Sequence, residues 1–149
     1  MVFPDTSFLC GLYVQQSTSA RAIALMSGQP TALEVSSLLL YEFRQSVQFQ
    51  VFRHSRDRTQ GYPQSVAQAA LAAIQSDVRA GALHLAAVDW ADVHQRAEHL
   101  CLQYTRSGGH RTVDILHVAT ALHLGAGEFL TFDANQKKLA EAEGLVVPP

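Results

Sequence analysis

Short apolar runs alternate along this chain with stretches long enough to form helices, and this alternation restricts the fold more than any other feature. The apolar runs predict five strands, at 2–3, 31–35, 83–88, 129–132 and 145–147. Strands separated by helices need crossover connections, which produce a mostly parallel sheet covered on both faces. The sequence therefore predicts an α/β fold with about five strands.

Helical patterns fill the segments between these strands. They begin near residue 17 or 19 and continue to 26, then cover 38–52, 65–79, 89–105, 112–124 and 133–144. Ser36 and Ser37 are good N-caps for the second of these helices, and Asp89 for the fourth. The segment directly after Asp5 carries only weak helix signals, and the polar stretch 54–64 has the composition of a loop.

Length and composition narrow the class of protein. A chain of 149 residues fits one domain, here 1–149, and 48% hydrophobic with 16% charged residues excludes intrinsic disorder. The net charge of -2 gives no sign of a globally basic nucleic-acid binder, although a local basic patch remains open. Cys10 and Cys101 lie too far apart for a CxxC site. Without a secretory signal or a long apolar segment, we expect a cytoplasmic protein that does not enter a membrane.

Four of the 13 acidic residues stand in strongly apolar surroundings. Asp5 and Asp133 each end a predicted strand, Glu42 lies just over one turn into a helix, and Asp114 lies in the first turn of another. Helix capping and the helix dipole offer structural explanations for Asp133 and Asp114. Glu42 does not occupy a capping position, so helix capping does not explain it. Because active sites of such sheets form at the carboxyl ends of the strands, all four carboxylates could reach one edge.

Buried together, four carboxylates need a cation, since each uncompensated charge costs several kcal/mol. Arg44 and Arg111 could help, but two arginines do not obviously balance four acids. Mg²⁺ and Mn²⁺ prefer oxygen ligands of this kind and can activate water for attack at phosphorus. The four acids therefore indicate metal-dependent hydrolysis of phosphodiesters.

In order along the chain, Asp5-Thr6-Ser7, Tyr41-Glu42-Phe43, Val113 to Ala119 and Thr131-Phe132-Asp133 resemble the PIN-domain signature, most closely that of VapC-like ribonuclease toxins. The resemblance covers essentially the whole chain and implies a three-layer α/β/α fold. It implies Asp5 and Asp114 as ligands of Mg²⁺ or Mn²⁺, Glu42 and Asp133 as completing the acidic pocket, and Thr131 as a supporting hydroxyl. It also implies an RNA substrate, a small cognate antitoxin and a homodimer.

Pro4 departs from that family pattern, because proline is rare in central strands. It predicts either a strand that ends at Phe3 or a locally distorted edge. The polar stretch 54–64 is also longer than the pattern, so its contacts cannot be transferred from the family.

The most basic part of the chain offers candidates for RNA contact: Arg44, Arg53, Arg56 and Arg58. A solvated helix end is an equally good explanation of this stretch. Phe49 and Phe52, in the same stretch, are at these spacings more often core or interface residues than base-stacking platforms. His117 shares the helix face of Asp114, as either a catalytic group or a buried hydrogen-bonded histidine.

Two other functions remain open on the sequence. A PIN-like domain could keep the fold only as an interaction module. A phosphoacceptor receiver domain also clusters aspartates, but it needs an acidic pair at the first strand end and a later lysine. Here Asp5 stands alone and the lysines occur only as Lys137-Lys138.

Overall fold

A computed structural model describes residues 1–149 and contains four short parallel strands. These are β1 (Val2–Pro4), β2 (Leu33–Val35), β3 (Leu83–Leu85) and β4 (Glu128–Leu130). β1 pairs with β4, and β2 pairs with β3. Val146 adds a single parallel bridge to Glu128, at the place of the fifth predicted strand. Since β1 also lies against β2, the strands form one parallel layer, which confirms the predicted fold class.

Pro4 belongs to β1 and is buried, so the strand does not end at Phe3. Successive residues of a strand direct their backbone groups to opposite sides. The Asp5 amide donates to Leu130 O in β4, so the ring nitrogen of Pro4 faces β2. No hydrogen-bonded ladder joins β1 to β2, and the missing donor of proline is therefore tolerated there.

The helices form two groups, one on each side of this layer. The first group contains α1 (Thr6–Tyr13), α2 (Ser19–Ser27), α3 (Ser37–Arg56) and α4 (Gln64–Ala80). The second contains α5 (Trp90–Leu100), α7 (Thr112–His123) and α8 (Ala134–Ala142). A π-helical turn, Cys101–Thr105, joins α5 to the short α6 (Arg106–Gly108). None of these helices is long and apolar enough to cross a lipid bilayer.

Helix α1 was not predicted, because Thr6–Tyr13 lacks a polar face that would show helical periodicity. Its start is fixed by Asp5, whose side chain accepts a hydrogen bond from Phe8 N. Phe8 and Leu9 are fully buried. Packing of an apolar segment, rather than local propensity, therefore accounts for α1.

The polar stretch after α3 is shorter than predicted, because α3 continues to Arg56. The remaining loop folds back onto α3: Arg53 Nη2 donates to Gln60 Oε1 at 2.7 Å. Gly61 has φ +60°, and a Cβ there would lie 2.1 Å from Gln50 O. Only glycine permits so close an approach, which holds the loop against the helix.

Candidate active site

The four acidic residues singled out from the sequence all lie where elements meet at the carboxyl edge of the parallel strands. Asp5 follows β1 and caps α1, while Asp133 follows β4 and caps α8. Glu42 lies in the second turn of α3, and Asp114 in the first turn of α7. Thr131 bonds to both Asp5 and the Asp133 amide, and Arg111 contacts both Asp133 and Asp114. Glu42 is held separately by Thr6 and His117.

Asp5 is the most deeply buried of these acids, with no exposed surface. Its Oδ1 accepts from Ser7 Oγ at 2.7 Å and from Phe8 N at 2.8 Å. Its Oδ2 accepts from Thr131 Oγ1 at 2.5 Å, which places the predicted supporting hydroxyl directly on this carboxylate. Burial raises the pKa of Asp5, and the bonds from Thr131, Phe8 and Ser7 offset this only in part.

Glu42 has a partly exposed carboxylate bound to two residues of neighbouring helices. Its Oε2 accepts from Thr6 Oγ1 and lies 2.5 Å from His117 Nε2. Burial acts to raise the pKa of Glu42, but the hydrogen bonds with His117 and Thr6 outweigh it, and the pKa is lowered. Glu42 is therefore an anion at neutral pH.

His117 is completely buried on α7, and its Nδ1 has no hydrogen-bond partner. The ring therefore meets the site through Nε2, which contacts the Glu42 carboxylate. This arrangement matches the buried, hydrogen-bonded alternative for His117, in which the ring orients Glu42.

Arg111 supplies the positive charge of the site. Its Nε and Nη2 donate to the two oxygens of Asp114 at 2.8 and 3.2 Å, and Nη2 lies 3.8 Å from Asp133 Oδ2. The Arg111 side chain is 76% exposed, whereas that of Asp114 is 8% exposed. The bond to Asp114 raises the pKa of Arg111, which remains charged throughout the physiological range.

Gln136 was missed as part of the site because its spacing from Asp133 predicts a capping box. Asp133 does cap α8, accepting from Asn135 N and Gln136 N at 2.8 and 2.9 Å. The Gln136 side chain does not close the box: its Nε2 donates to Asp114 Oδ1 at 3.3 Å. Its buried Oε1 has no partner. The site thus contains a buried amide oxygen that has no hydrogen-bond partner, beside the Asp114 carboxylate.

These donors fit a hard divalent cation in their chemistry. Four carboxylates and the unpartnered Gln136 Oε1 provide the oxygen ligands that Mg²⁺ and Mn²⁺ prefer. In the present arrangement, however, no three histidine, cysteine, aspartate or glutamate side chains converge on one point. Arg111 binds both oxygens of Asp114, so a cation would compete with its guanidinium for that ligand.

The four arginines considered for RNA contact do not form one group. Arg44 lines a groove with Leu40 and Ile74, on the side of α3 that faces α4. Arg53 and Arg56 lie in the last turn of α3, and Arg58 in the loop beyond it. None of the four forms a salt bridge.

Comparison with known proteins identifies a family and a fold. A family model described as the PIN domain matches residues 2–142. The structure is similar to that of Mycobacterium tuberculosis VapC20, described as a sarcin-ricin loop cleaving toxin. The TM-score is 0.68 at 21% identity, over 98% of this chain and 97% of that one. FitAcB from Neisseria gonorrhoeae gives a TM-score of 0.63 at 14% identity, over 100% of this chain and 97% of that chain. No curated protein sequence matches significantly.

Proposed function

Because this chain belongs to the PIN-domain family, we propose that it is a metal-dependent endoribonuclease, the toxin of a VapBC-type toxin–antitoxin module. The observation that carries the proposal is the set of four acids at one edge of the sheet. Asp5 is buried beneath three hydrogen-bond donors, while Glu42, Asp114 and Asp133 reach the same edge of the sheet. VapC20, described as a sarcin-ricin loop cleaving toxin, has the same fold, which supports RNA as the substrate.

Asp5 and Asp114 would hold Mg²⁺ or Mn²⁺, with Glu42 and Asp133 completing the pocket. When bound, the cation supplies an activated water and charge stabilisation for displacement at phosphorus. The chain's own residues position these acids: Thr131, Ser7 and Phe8 N fix both oxygens of Asp5, and His117 and Thr6 fix Glu42. Arg111, which is mostly exposed, could turn from Asp114 toward a substrate phosphate.

A small antitoxin protein would block this site, and the toxin would act as a homodimer in the cytoplasm, as a single nuclease domain spanning 1–149. The similarity to toxin structures supports these proposals on partners. The PIN-domain match favours this nuclease over a receiver-type phosphoacceptor domain.

The test is cleavage of a panel of structured and single-stranded RNAs. We expect cleavage with Mg²⁺ or Mn²⁺, none with EDTA, and none for the Asp5→Asn variant, which loses the buried carboxylate. Cleavage in EDTA, or full activity of Asp5→Asn, would contradict the proposal. A folded protein that binds Mn²⁺ but cleaves no RNA would instead indicate an interaction module.

A further inference from the structure

Helix α3 carries an exposed aromatic and basic surface at its C-terminal half, which we name the α3 stripe: Phe49, Phe52, Arg53 and Arg56. Phe49 and Phe52 are 51% and 52% exposed, so they are not core residues. Their rings stack with centroids 6.0 Å apart, and Arg56 Cζ lies 5.4 Å from the centre of the Phe52 ring. Two large exposed aromatic rings that touch each other and an arginine form a continuous surface for a flat ligand.

The α3 stripe lies along the helix in line with the acidic site. Phe49, Arg53 and Arg56 follow Glu42 by seven, 11 and 14 residues, spacings that return to the same face of an α-helix. At 1.5 Å per residue, the stripe begins about 10 Å from Glu42 and ends about 21 Å from it. One helix face therefore joins a candidate catalytic acid to an exposed stacking surface.

The charge of this surface is positive and is not compensated by carboxylates. Arg53 donates only to the side-chain amide oxygens of Gln50 and Gln60. Arg56 has the Phe52 ring as its neighbour and no acidic partner. The nearby acid, Asp57, accepts hydrogen bonds from Thr59 and Gln60 instead. The phosphates of a strand that crosses the stripe would meet two guanidinium groups that have no carboxylate partner.

We propose that the α3 stripe binds single-stranded RNA, with bases stacked on Phe49 and Phe52 and phosphates at Arg53 and Arg56, and that it leads the strand to the acidic site. The proposal rests on the nuclease function above and goes beyond it by locating the surface on which the strand lies. Unpaired bases offer free faces for stacking, whereas bases in a duplex are already stacked on each other.

A second copy of this chain is a weaker occupant for the same surface. A two-fold interface centred on the stripe would bring four guanidinium groups together, with no carboxylate in the stripe to pair with them. The groove of about 370 Å³ beside the stripe is also rich in polar residues, including Gln16, Ser46 and Gln50. Polar walls suit bases and sugars better than an apolar protein interface.

The experiment measures binding of fluorescein-labelled oligouridine by fluorescence anisotropy, with an oligomer of about 12 nucleotides, comparable to single-strand sites. The full chain carries Asp5→Asn so that the probe is not cleaved. We expect Phe49→Leu/Phe52→Leu to weaken binding about tenfold or more, because leucine keeps apolar area but does not stack. Phe49→Trp/Phe52→Trp should restore affinity. Arg56→Gln should lower the salt dependence of log Kd by about 0.7.

Two controls make this test decisive. Leu102→Ala, an equally conservative change at an exposed apolar residue on another element, should leave oligouridine affinity unchanged. Duplex RNA of the same length should bind the leucine variant and its parent equally. In the cleaving protein, the leucine pair should raise KM with little change in kcat, since the stripe lies outside the reacting centre.

The possible outcomes separate the two proposals. If the leucine pair binds oligouridine like its parent while the unmutated chain cleaves RNA, the stripe assignment is wrong and the nuclease function stands. If the leucine pair instead dissociates a dimer on size-exclusion chromatography with light scattering, and RNA affinity is unchanged, the occupant is a second copy. If the chain neither binds nor cleaves any RNA, both proposals fail.

Discussion

The two ends of α3 carry charges of opposite sign in different environments. Near its N-terminus, Glu42 is a partly buried anion held by Thr6 and His117, close to Asp5 and the other acids. At its C-terminus, Arg53 and Arg56 are cations without a carboxylate partner. Every carboxylate of the acidic end is fixed by specific donors, whereas the basic end keeps its charge available to solvent.

Under the proposed function, this contrast explains how a chain with a net charge of only -2 would bind a polyanionic substrate. Buried carboxylates need organised partners, since an uncompensated buried charge costs several kcal/mol. Exposed arginines need none, and their attraction for phosphates acts at longer range. The separation of carboxylates and arginines along one helix, rather than the total charge, makes one end of this surface negative and the other end positive.

Gly61→Ala should have the largest effect on stability, because it changes the loop that packs against the C-terminal end of α3. The new Cβ would lie 2.1 Å from Gln50 O, on a backbone with φ +60°. Overpacking together with left-handed strain should lower the free energy of unfolding by about 2–4 kcal/mol. Urea denaturation followed by circular dichroism measures this.

Gly127→Ala is the control for that loop, since no atom lies within 4 Å of a Cβ at Gly127. We expect its unfolding free energy to stay within about 0.5 kcal/mol of the unmutated chain. If Gly61→Ala were equally mild, the loop would not be held tightly against α3.

Thr131→Val should reduce RNA cleavage about 10–100-fold, the usual effect of removing a residue that orients a metal ligand. Valine has nearly the shape of threonine but cannot donate to Asp5 Oδ2 or accept from Asp133 N. Thr59→Val makes the same change beside the exposed Asp57, to which Thr59 Oγ1 donates at 2.7 Å. Equal cleavage by the two variants would show that burial of the acceptor is unimportant.

The sequence predicted the fold class because it depends on an alternation of strands and helices that local patterns reveal. It also singled out four acids that the structure places at the carboxyl edge of the strands, since carboxylates such as Glu42 within apolar runs are unusual and have few structural explanations. It missed α1, whose segment has no polar periodicity, and it placed the end of α3 too early. Both errors concern elements that are stabilised by tertiary packing.

Partners within the site were harder to predict than the acids themselves. The Gln136 side chain can bond either to the N-cap of its own helix or to Asp114 on another helix. Sequence spacing indicates only the first of these hydrogen bonds. For Phe49 and Phe52 the sequence favours core or interface positions over a stacking surface, because the exposed face of α3 depends on where α1 and α4 pack. Pairing across distant elements is therefore the part that required the structure.

Arg111→Gln tests whether the acidic end depends on its own guanidinium. Loss of the bonds to Asp114 should lower the unfolding free energy of the metal-free protein by about 1–2 kcal/mol, a value reduced by the exposure of Arg111. Added Mn²⁺ should raise the melting temperature of this variant more than that of the unmutated chain, because the cation no longer competes with arginine. Differential scanning fluorimetry measures both.

Arg96→Gln is the matched control, since it breaks the exposed Arg96–Asp92 pair, whose N–O distance is 2.7 Å. We expect a smaller loss of unfolding free energy than for Arg111→Gln, because the pair is exposed to solvent, and an unchanged response to Mn²⁺. If Mn²⁺ raised the melting temperature of Arg111→Gln and of the unmutated chain equally, Arg111 would not compete with the cation.

The smallest expected effect uses Cys10 as a reporter of charge at the acidic end. Burial raises the pKa of its thiol to about 12, and the negative charges of Asp5 and Glu42 add to the increase. At pH 9 the exposed Cys101 should therefore be alkylated by iodoacetamide well before Cys10. Asp5→Asn, or Mn²⁺ bound at the acids, should lower the Cys10 pKa and accelerate its alkylation a few-fold, because one opposing charge is removed. Mass spectrometry of the labelled peptides follows both cysteines in one sample, with Cys101 as the internal standard. If Cys10 reacted as fast as Cys101, or if Asp5→Asn left its rate unchanged, the acidic end would be more solvated than the buried carboxylate of Asp5 implies.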